Sequence, residues 1–334
     1  MLQSDLMQRT FVGKKILITG GLGFIGSNLA IALVKAGARV TILDNLTPGL
    51  GGNVFNIDPI KKNVTIINRD IRDQQAVEKA VKDKDFVFHL ARQTDHILSL
   101  TDPFPDIDVN IRGTAVLLEA CKKYNPSVRL IYAGTRGQYG KQVKLPVSET
   151  APTNPRGMYE ITNLTAEKMV QVYHDVHGIQ SICLRLTNIY GPRSQMKHDH
   201  YGVVNWFVRL AMDGKTIPVY GDGRLKRDFL FIDDCIDAMR GCAATTKCYG
   251  EVINVGQPTA SNFLTLARAI VRAAGSGSVK LAPFSPQRAA QEPGDFTSDI
   301  TKIKKLTGWK PTTGLESGLK QTVAYYRKHK HYYW

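Results

Sequence analysis

The segment KILITGGLGFIGSNLA at 15–30 constrains this chain more than any other stretch. A β-rich apolar run enters a turn with glycine at every third position, Gly20, Gly23 and Gly26, and leaves it as an amphipathic helix. Glycine at 20 allows the tight turn, at 23 a close approach of a bound group to the backbone, and at 26 close packing of helix on strand. The helix N-terminus, around Phe24 and Ile25, then offers unpaired N–H groups and a partial positive charge, which suits a pyrophosphate. Asp44 lies 18 residues beyond Gly26, at the end of the next β-rich run, where a carboxylate can accept both hydroxyls of an adenosine ribose. A carboxylate there repels a 2′-phosphate and no Arg follows directly, so the pattern predicts NAD in preference to NADP.

The rest of the chain continues the alternation. Strands are predicted at 15–19, 39–43, 64–68, 86–90, 129–133 and 181–187, and helices at 24–36, 73–83, 108–124 and 159–177. This is the rhythm of a doubly wound, Rossmann-type parallel sheet with helices on both faces. After about residue 190, Gly- and Pro-containing loops separate helices near 203–213, 233–244, 261–274 and 315–328. The expected division is a nucleotide-binding lobe over 1–190 and a smaller mixed α/β cap lobe over 191–334, with some later segments returning to the sheet.

Composition narrows the function classes. The 334 residues are 43% hydrophobic, enough for a substantial core and too many for disorder. No apolar stretch approaches the length of a membrane span, and the N-terminus lacks the apolar segment of a secretory signal. Five cysteines, an odd count without C-x-x-C spacing, point to reduced thiols and a cytoplasmic protein. The net charge of +15 favours an anionic partner, but the basic residues are scattered and no aromatic-basic motif interleaves them. A phosphorylated small molecule therefore fits better than nucleic acid.

Several further motifs follow in order: DNLTPG (44–49), Asp70 with Ile71, HLA (89–91), NIRGT (110–114), YAGTRGQYG (132–140), RLTNIYGP (185–192), YGDGRLKRDFLFIDD (220–234) and GWKP (308–311). Together with the glycine spacing they resemble, nearly end to end, the extended short-chain dehydrogenase/reductases, in particular the nucleotide-sugar epimerases and dehydratases. The resemblance implies cofactor contacts at Asn45, Asp70, Ile71, Leu90, Ala91, Arg92 and Asn110. It also implies substrate contacts at Asn188 for a phosphate, Arg227 for the diphosphate, Tyr220 beside a nucleobase, and Arg288 and Asp295. Glu292 stands where the family has an Arg, which argues against UDP specifically. His96, after the fourth strand, is placed to touch the sugar; the loop histidines His198 and His200 lack further ligands at metal-binding spacing.

The same resemblance places Thr135 on the reacting sugar oxygen and makes Tyr159 the proton acceptor. The family pattern is Y-x-x-x-K, and here the fourth residue after the tyrosine is Asn163. Positions i and i+4 share a helix face, so Asn163 is expected to point at the nicotinamide ribose, without the charge that would lower the phenol's pKa. Arg136 and Gly137 replace the acidic pair of the dehydratases, and Gly137 replaces the decarboxylases' Glu. The implied activity is an NAD-dependent NDP-sugar epimerase, most simply at C4, working through a keto-sugar. A C2 epimerase, a dehydratase and a non-catalytic NAD-binding regulator stay open as alternatives. Apolar residues on more than one face of the helices near 108–124 and 159–177 fit either full burial or a subunit interface, and the resemblance implies a homodimer.

Overall fold

β-Branched and aromatic runs buried on both faces can only be satisfied inside a sheet that is covered on both sides. That is how they are used in the computed structural model, which describes residues 9–284, 292 and 294–334. The chain runs β1 (Lys15–Thr19), α1 (Phe24–Lys35), β2 (Arg39–Asp44), β3 (Val64–Asn68), α2 (Gln74–Val81), β4 (Phe86–His89), α3 (Gly113–Tyr124), β5 (Arg129–Thr135), α4 (Met158–His177), β6 (Gln180–Leu186) and, much later, β7 (Val252–Val255). In space the strands lie in the order β7-β6-β5-β4-β1-β2-β3, and every pair is parallel. The order reverses between β1 and β4, and the crevice beyond their carboxyl ends is where ligands bind in such sheets.

Alternation along each strand sorts the core into two layers. Ile16 and Ile18 of β1, with Phe86, Phe88 and Ile131, pack beneath α1 residues such as Leu29 and Leu33. Leu17, Val87, Leu130 and Tyr132 face the other way, onto α2, α3 and α4 through Val77, Leu117, Cys121, Ala166 and Val170. Asp73 caps α2 by accepting from the Ala76 N–H, and Gly178 ends α4 in the left-handed region (φ 71°). A buried bidentate pair, Arg185 Nε and Nη2 on Glu167 at 2.9 and 2.6 Å, fixes α4 to β6. All five cysteines are buried and free.

Beyond β6 the chain builds shorter pairings: Thr216–Tyr220 with Ser278–Ala282, Asn188–Tyr190 with Phe229–Phe231, and Lys226–Arg227 with Ser261–Asn262. The helices Val203–Met212, Phe263–Ala274 and Leu315–His329 cover them. Their buried side chains, among them Val208, Val219, Ile270, Leu319 and Tyr326, belong to the same apolar cluster as the α1 face of the sheet. The second part of the chain is thus held to the first by continuous core. Among the described residues no helix is long and apolar enough to cross a membrane.

Candidate active site

The turn after β1 adopts its shape because its glycines have no side chains. Gly20 has φ 70°, and a Cβ there would meet the Ala91 nitrogen at 2.8 Å. A Cβ on Gly26 would press into the Gly20 carbonyl and the Gly21 backbone. Gly20, Gly23, Phe24, Ile25 and Gly26 line one end of a cleft of about 1270 Å³. No side chain caps α1 and no acid lies in its first turn. Its first N–H groups and positive dipole end are thus left for an anion.

At the adenosine end, Asp44 is nearly buried and still borders the cleft. Its carboxylate accepts from the N–H groups of Leu22 (3.0 Å) and Leu46 (2.9 Å), which holds the glycine loop to the loop after β2. Burial raises its pKa while those two donors oppose the rise. Asn45 donates to Asp70 at 2.7 Å, and Arg72 pairs with Asp70 at 2.8 Å, holding that carboxyl below its ordinary range. Ile71, Leu90 and Ala91 form the adjoining wall.

Thr135, Tyr159 and His96 meet the cleft further along. The Thr135 hydroxyl accepts from the Gly137 N–H at 3.1 Å, so its own proton stays available to a ligand oxygen. The Tyr159 ring lies 4.2 Å from that of His96. Burial pushes the Tyr159 phenol up to about 12, the charge of Arg92 pulls it down, and Glu160 and Asp106 add to the rise. His96 is also paired with Glu160, Nδ1 to Oε1 at 3.3 Å.

Glu160 is a functional candidate that sequence reasoning missed. A Cβ on Gly137 would come within 2.6 Å of Glu160 Cγ, so the glutamate fills the space a side chain at 137 would take. Burial raises its pKa, but the His96 hydrogen bond and charge, with Arg136, bring it below the usual value. The only sequence signal was Gly137 itself, a missing side chain beside an acid on the facing helix.

Three expectations need correction. Asn163 is buried and absent from the cleft wall; its amide nitrogen turns back onto the Tyr159 carbonyl at 2.7 Å, because so short a side chain reaches its own helix first. Asn110 is also fully buried, with its amide shared among Gln93, Asp106 and Thr162 inside the protein. Asp295 is exposed and accepts from the Lys226 N–H at 2.8 Å instead of bordering the cleft.

At the far end, Asn188, Tyr220 and Arg227 line the cleft. Tyr220 is stacked on Phe284, ring centroids 5.7 Å apart. Arg227 is tied to Glu292 and to the carbonyls of Gly294 and Lys226, so its charge is largely neutralised by the acid at the position where an Arg was expected. Arg136, over the ring of Phe296, is the second cation there; burial lowers its pKa to about 10, which keeps it charged at neutrality. Arg288 lies outside the described residues. The loop histidines bridge the two parts of the chain, His200 to Asp95 at 2.6 Å and His198 to the Gly49 carbonyl at 2.7 Å.

The glycine cradle, the uncapped helix end, Asp44 and a phenol further along one cleft define a Rossmann-type dinucleotide enzyme. Comparison with known proteins fixes the family. The profile of the NAD dependent epimerase/dehydratase family matches residues 16–256, and the chain belongs to that family. Its cofactor is NAD, and the residues that a dinucleotide needs are present. A putative UDP-glucose 4-epimerase of Methanocaldococcus jannaschii is 32% identical over 315 residues, covering 92% of this chain and 97% of its own. A dTDP-glucose 4,6-dehydratase of Streptomyces niveus is 31% identical over 326 residues, covering 95% and 94%. The solved structure of an epimerase from Methanothermobacter thermautotrophicus superposes with a TM-score of 0.91 at 28% identity, over 99% of this chain and 97% of that one.

Proposed function

We propose that this chain is an NAD-dependent nucleotide-sugar epimerase that inverts one ring carbon, most simply C4, by oxidation and re-reduction of the sugar. The observation that carries this reading is the single cleft. It runs from the glycine loop past Thr135 and Tyr159 to Tyr220 and Arg136, and at about 1270 Å³ it has room for a dinucleotide and a second ligand. When bound, NAD supplies a hydride acceptor that can also return the hydride, so no net oxidation results. Tyr159 takes the proton of the reacting hydroxyl, and Thr135 holds its oxygen through the free O–H. The Tyr220–Phe284 pair offers a base a stacking surface, and Arg136, beside the neutralised Arg227, offers a cation to a diphosphate.

Glu160 favours a second reading. A carboxylate held over Gly137 and paired with His96 is placed for the acid–base work of water elimination, so a dehydratase is the alternative reaction. Incubating the NAD-loaded protein with UDP-, dTDP-, CDP- and GDP-sugars and reading the ring protons by NMR separates the two. The expected product is a 4-epimer of unchanged mass. A 4-keto-6-deoxy product, lighter by one water, would replace epimerisation with dehydration, and no conversion of any sugar would overturn both.

A further inference from the structure

We propose that the segment 194–202 is a strap closed over the cofactor crevice, and that two histidine bonds in it, His198 to the loop after β2 and His200 to the loop after β4, set how fast NAD leaves. The proposal rests on NAD as the cofactor and on no assignment of the sugar or the reaction. In the sheet, β1 lies between β4 and β2, and the glycine loop leaves its carboxyl end. On the β4 side, His200 Nδ1–H donates to Asp95 at 2.6 Å. On the β2 side, His198 Nε2–H donates to the Gly49 carbonyl at 2.7 Å. The two histidines thus join the loops that flank the glycine loop. A segment bonded on both sides passes across the crevice, over the turn and the uncapped α1 end that suit a pyrophosphate. Gly20, Gly23 and Gly26 line one cleft together with His198, His200 and Tyr201.

The strap is held along its length. At its start the Ser194 N–H donates to the buried Tyr326 hydroxyl at 2.8 Å, and Arg209 binds the Met196 carbonyl. Gln195 accepts from the Lys197 N–H at 2.7 Å and donates to the His198 carbonyl at 3.3 Å, which fixes the turn into His198. The His200 N–H points to His198 Nδ1 at 3.4 Å, so His198 carries its proton on Nε2, where the Gly49 carbonyl accepts it. Asp95 accepts from the N–H groups of Ile97 and Leu98 with one oxygen and from His200 with the other. A Cβ on Gly51 would lie 3.7 Å from the Tyr201 hydroxyl, so the strap also rests on the β2 loop beyond His200. Gly202, with φ 72°, ends the strap and caps the helix Val203–Met212. The anchors at its start belong to the later part of the chain, whereas the two histidine bonds reach the loops of the sheet. Those two must open for a dinucleotide lying across β1 to leave.

The test loads the protein with NADH, mixes it with excess NAD and follows the loss of bound nicotinamide fluorescence as a release rate. His198→Leu with His200→Leu removes both bonds at similar side-chain bulk, and release is expected to quicken about tenfold or more. His198→Gln with His200→Asn puts an amide N–H where each imidazole N–H stood, and release is expected to stay within about threefold of the parent. Adenosine monophosphate lacks the half of the dinucleotide that extends past the glycine loop, and its affinity should agree within about threefold in all three proteins. Release at the parent rate from the leucine variant would overturn the proposal, as would equally fast release from the amide variant. A loss of adenosine monophosphate affinity as large as the gain in release rate would overturn it too, by showing a general distortion of the β2 loop. Because no turnover is read, a wrong assignment of the sugar or reaction leaves this result intact.

Discussion

Asp44 does two jobs with one carboxylate. Its oxygens hold the glycine loop and the β2 loop through Leu22 and Leu46, and the remaining lone pairs are those a ribose diol would use. Asp44→Ala should therefore weaken NAD for two reasons, a looser loop and lost charge-assisted hydrogen bonds, together about tenfold to a hundredfold. Only the second affects the choice of cofactor, so the ratio of NAD to NADP affinity is the informative quantity. Calorimetry should show that ratio collapsing in the variant; an unaltered protein that binds NADP as tightly as NAD would refute the role. Tyr159 gives a separate prediction. Tyr159→Phe keeps the ring that packs by His96 and removes the proposed proton acceptor, so hydride transfer should fall by about 10²- to 10⁴-fold while NAD binding persists. Single-turnover nicotinamide absorbance on the active sugar reads this directly, and full activity in the variant would sink the mechanism.

His89 ties three elements together, and the hydrogen bonds fix its tautomer. The Thr114 hydroxyl donates to the Asn110 carbonyl at 2.6 Å, so it can only accept from His89 Nε2–H, 3.0 Å away. Thr19 Oγ1 accepts from the N–H groups of Leu90 and Ala91, so it donates to His89 Nδ1 at 2.8 Å. The imidazole is held neutral: burial drives its pKa well below the ordinary value, and Arg92 pushes the same way. The unfolded chain takes up this proton near pH 6.5, the folded chain only far lower. Stability from this site is therefore full above about pH 6.5 and declines as the pH falls toward the folded value, by up to about 1.4 kcal/mol per unit. Urea unfolding between pH 5 and 7.5 should show this slope reduced in His89→Gln; identical slopes would show that another group titrates. At this scale the sequence was most readable. Six strands and the main helices declared themselves by periodicity, because burial on both faces leaves few ways to satisfy a run like KILIT. Strand β7 did not, since VINV is four residues long and follows a stretch of loops and helices that gives no crossover rhythm. Asn163 was expected to reach the cleft and does not, because periodicity carries no information on how a short amide bends. Glu160 gained meaning only when the loop after β4, the turn after β5 and α4 were brought together, because it matters through what it meets there, His96 and the space over Gly137.

In the whole molecule, the side of the sheet covered by α3 and α4 is not closed. Val172 and Val176 of α4 are 51% and 68% exposed, with Ile161 on the same side of the helix at 41%, and in the segment before α3 Phe104 and Ile107 are 71% and 39% exposed. On α4, positions 161, 172 and 176 fall within about 60° around the axis, so they share one side of the helix, with Thr165 and Lys168 between Ile161 and the two valines. Tyr173 bonds Glu119 across the two helices, which holds them side by side as one surface. A second copy related by a two-fold axis would cover this side with its own counterpart, since such an axis pairs a patch with itself. The expected state is a dimer at micromolar concentration by sedimentation. Val172→Glu with Val176→Glu would place unpaired carboxylates in the contact, at a cost of about 3–5 kcal/mol, so dissociation should weaken the dimer by roughly two decades or more. The fold of each subunit should survive, because neither valine belongs to the buried core beneath α4. A parent protein that sediments as a monomer, or a dimer that the paired substitution leaves unchanged, would place the interface elsewhere or abolish it.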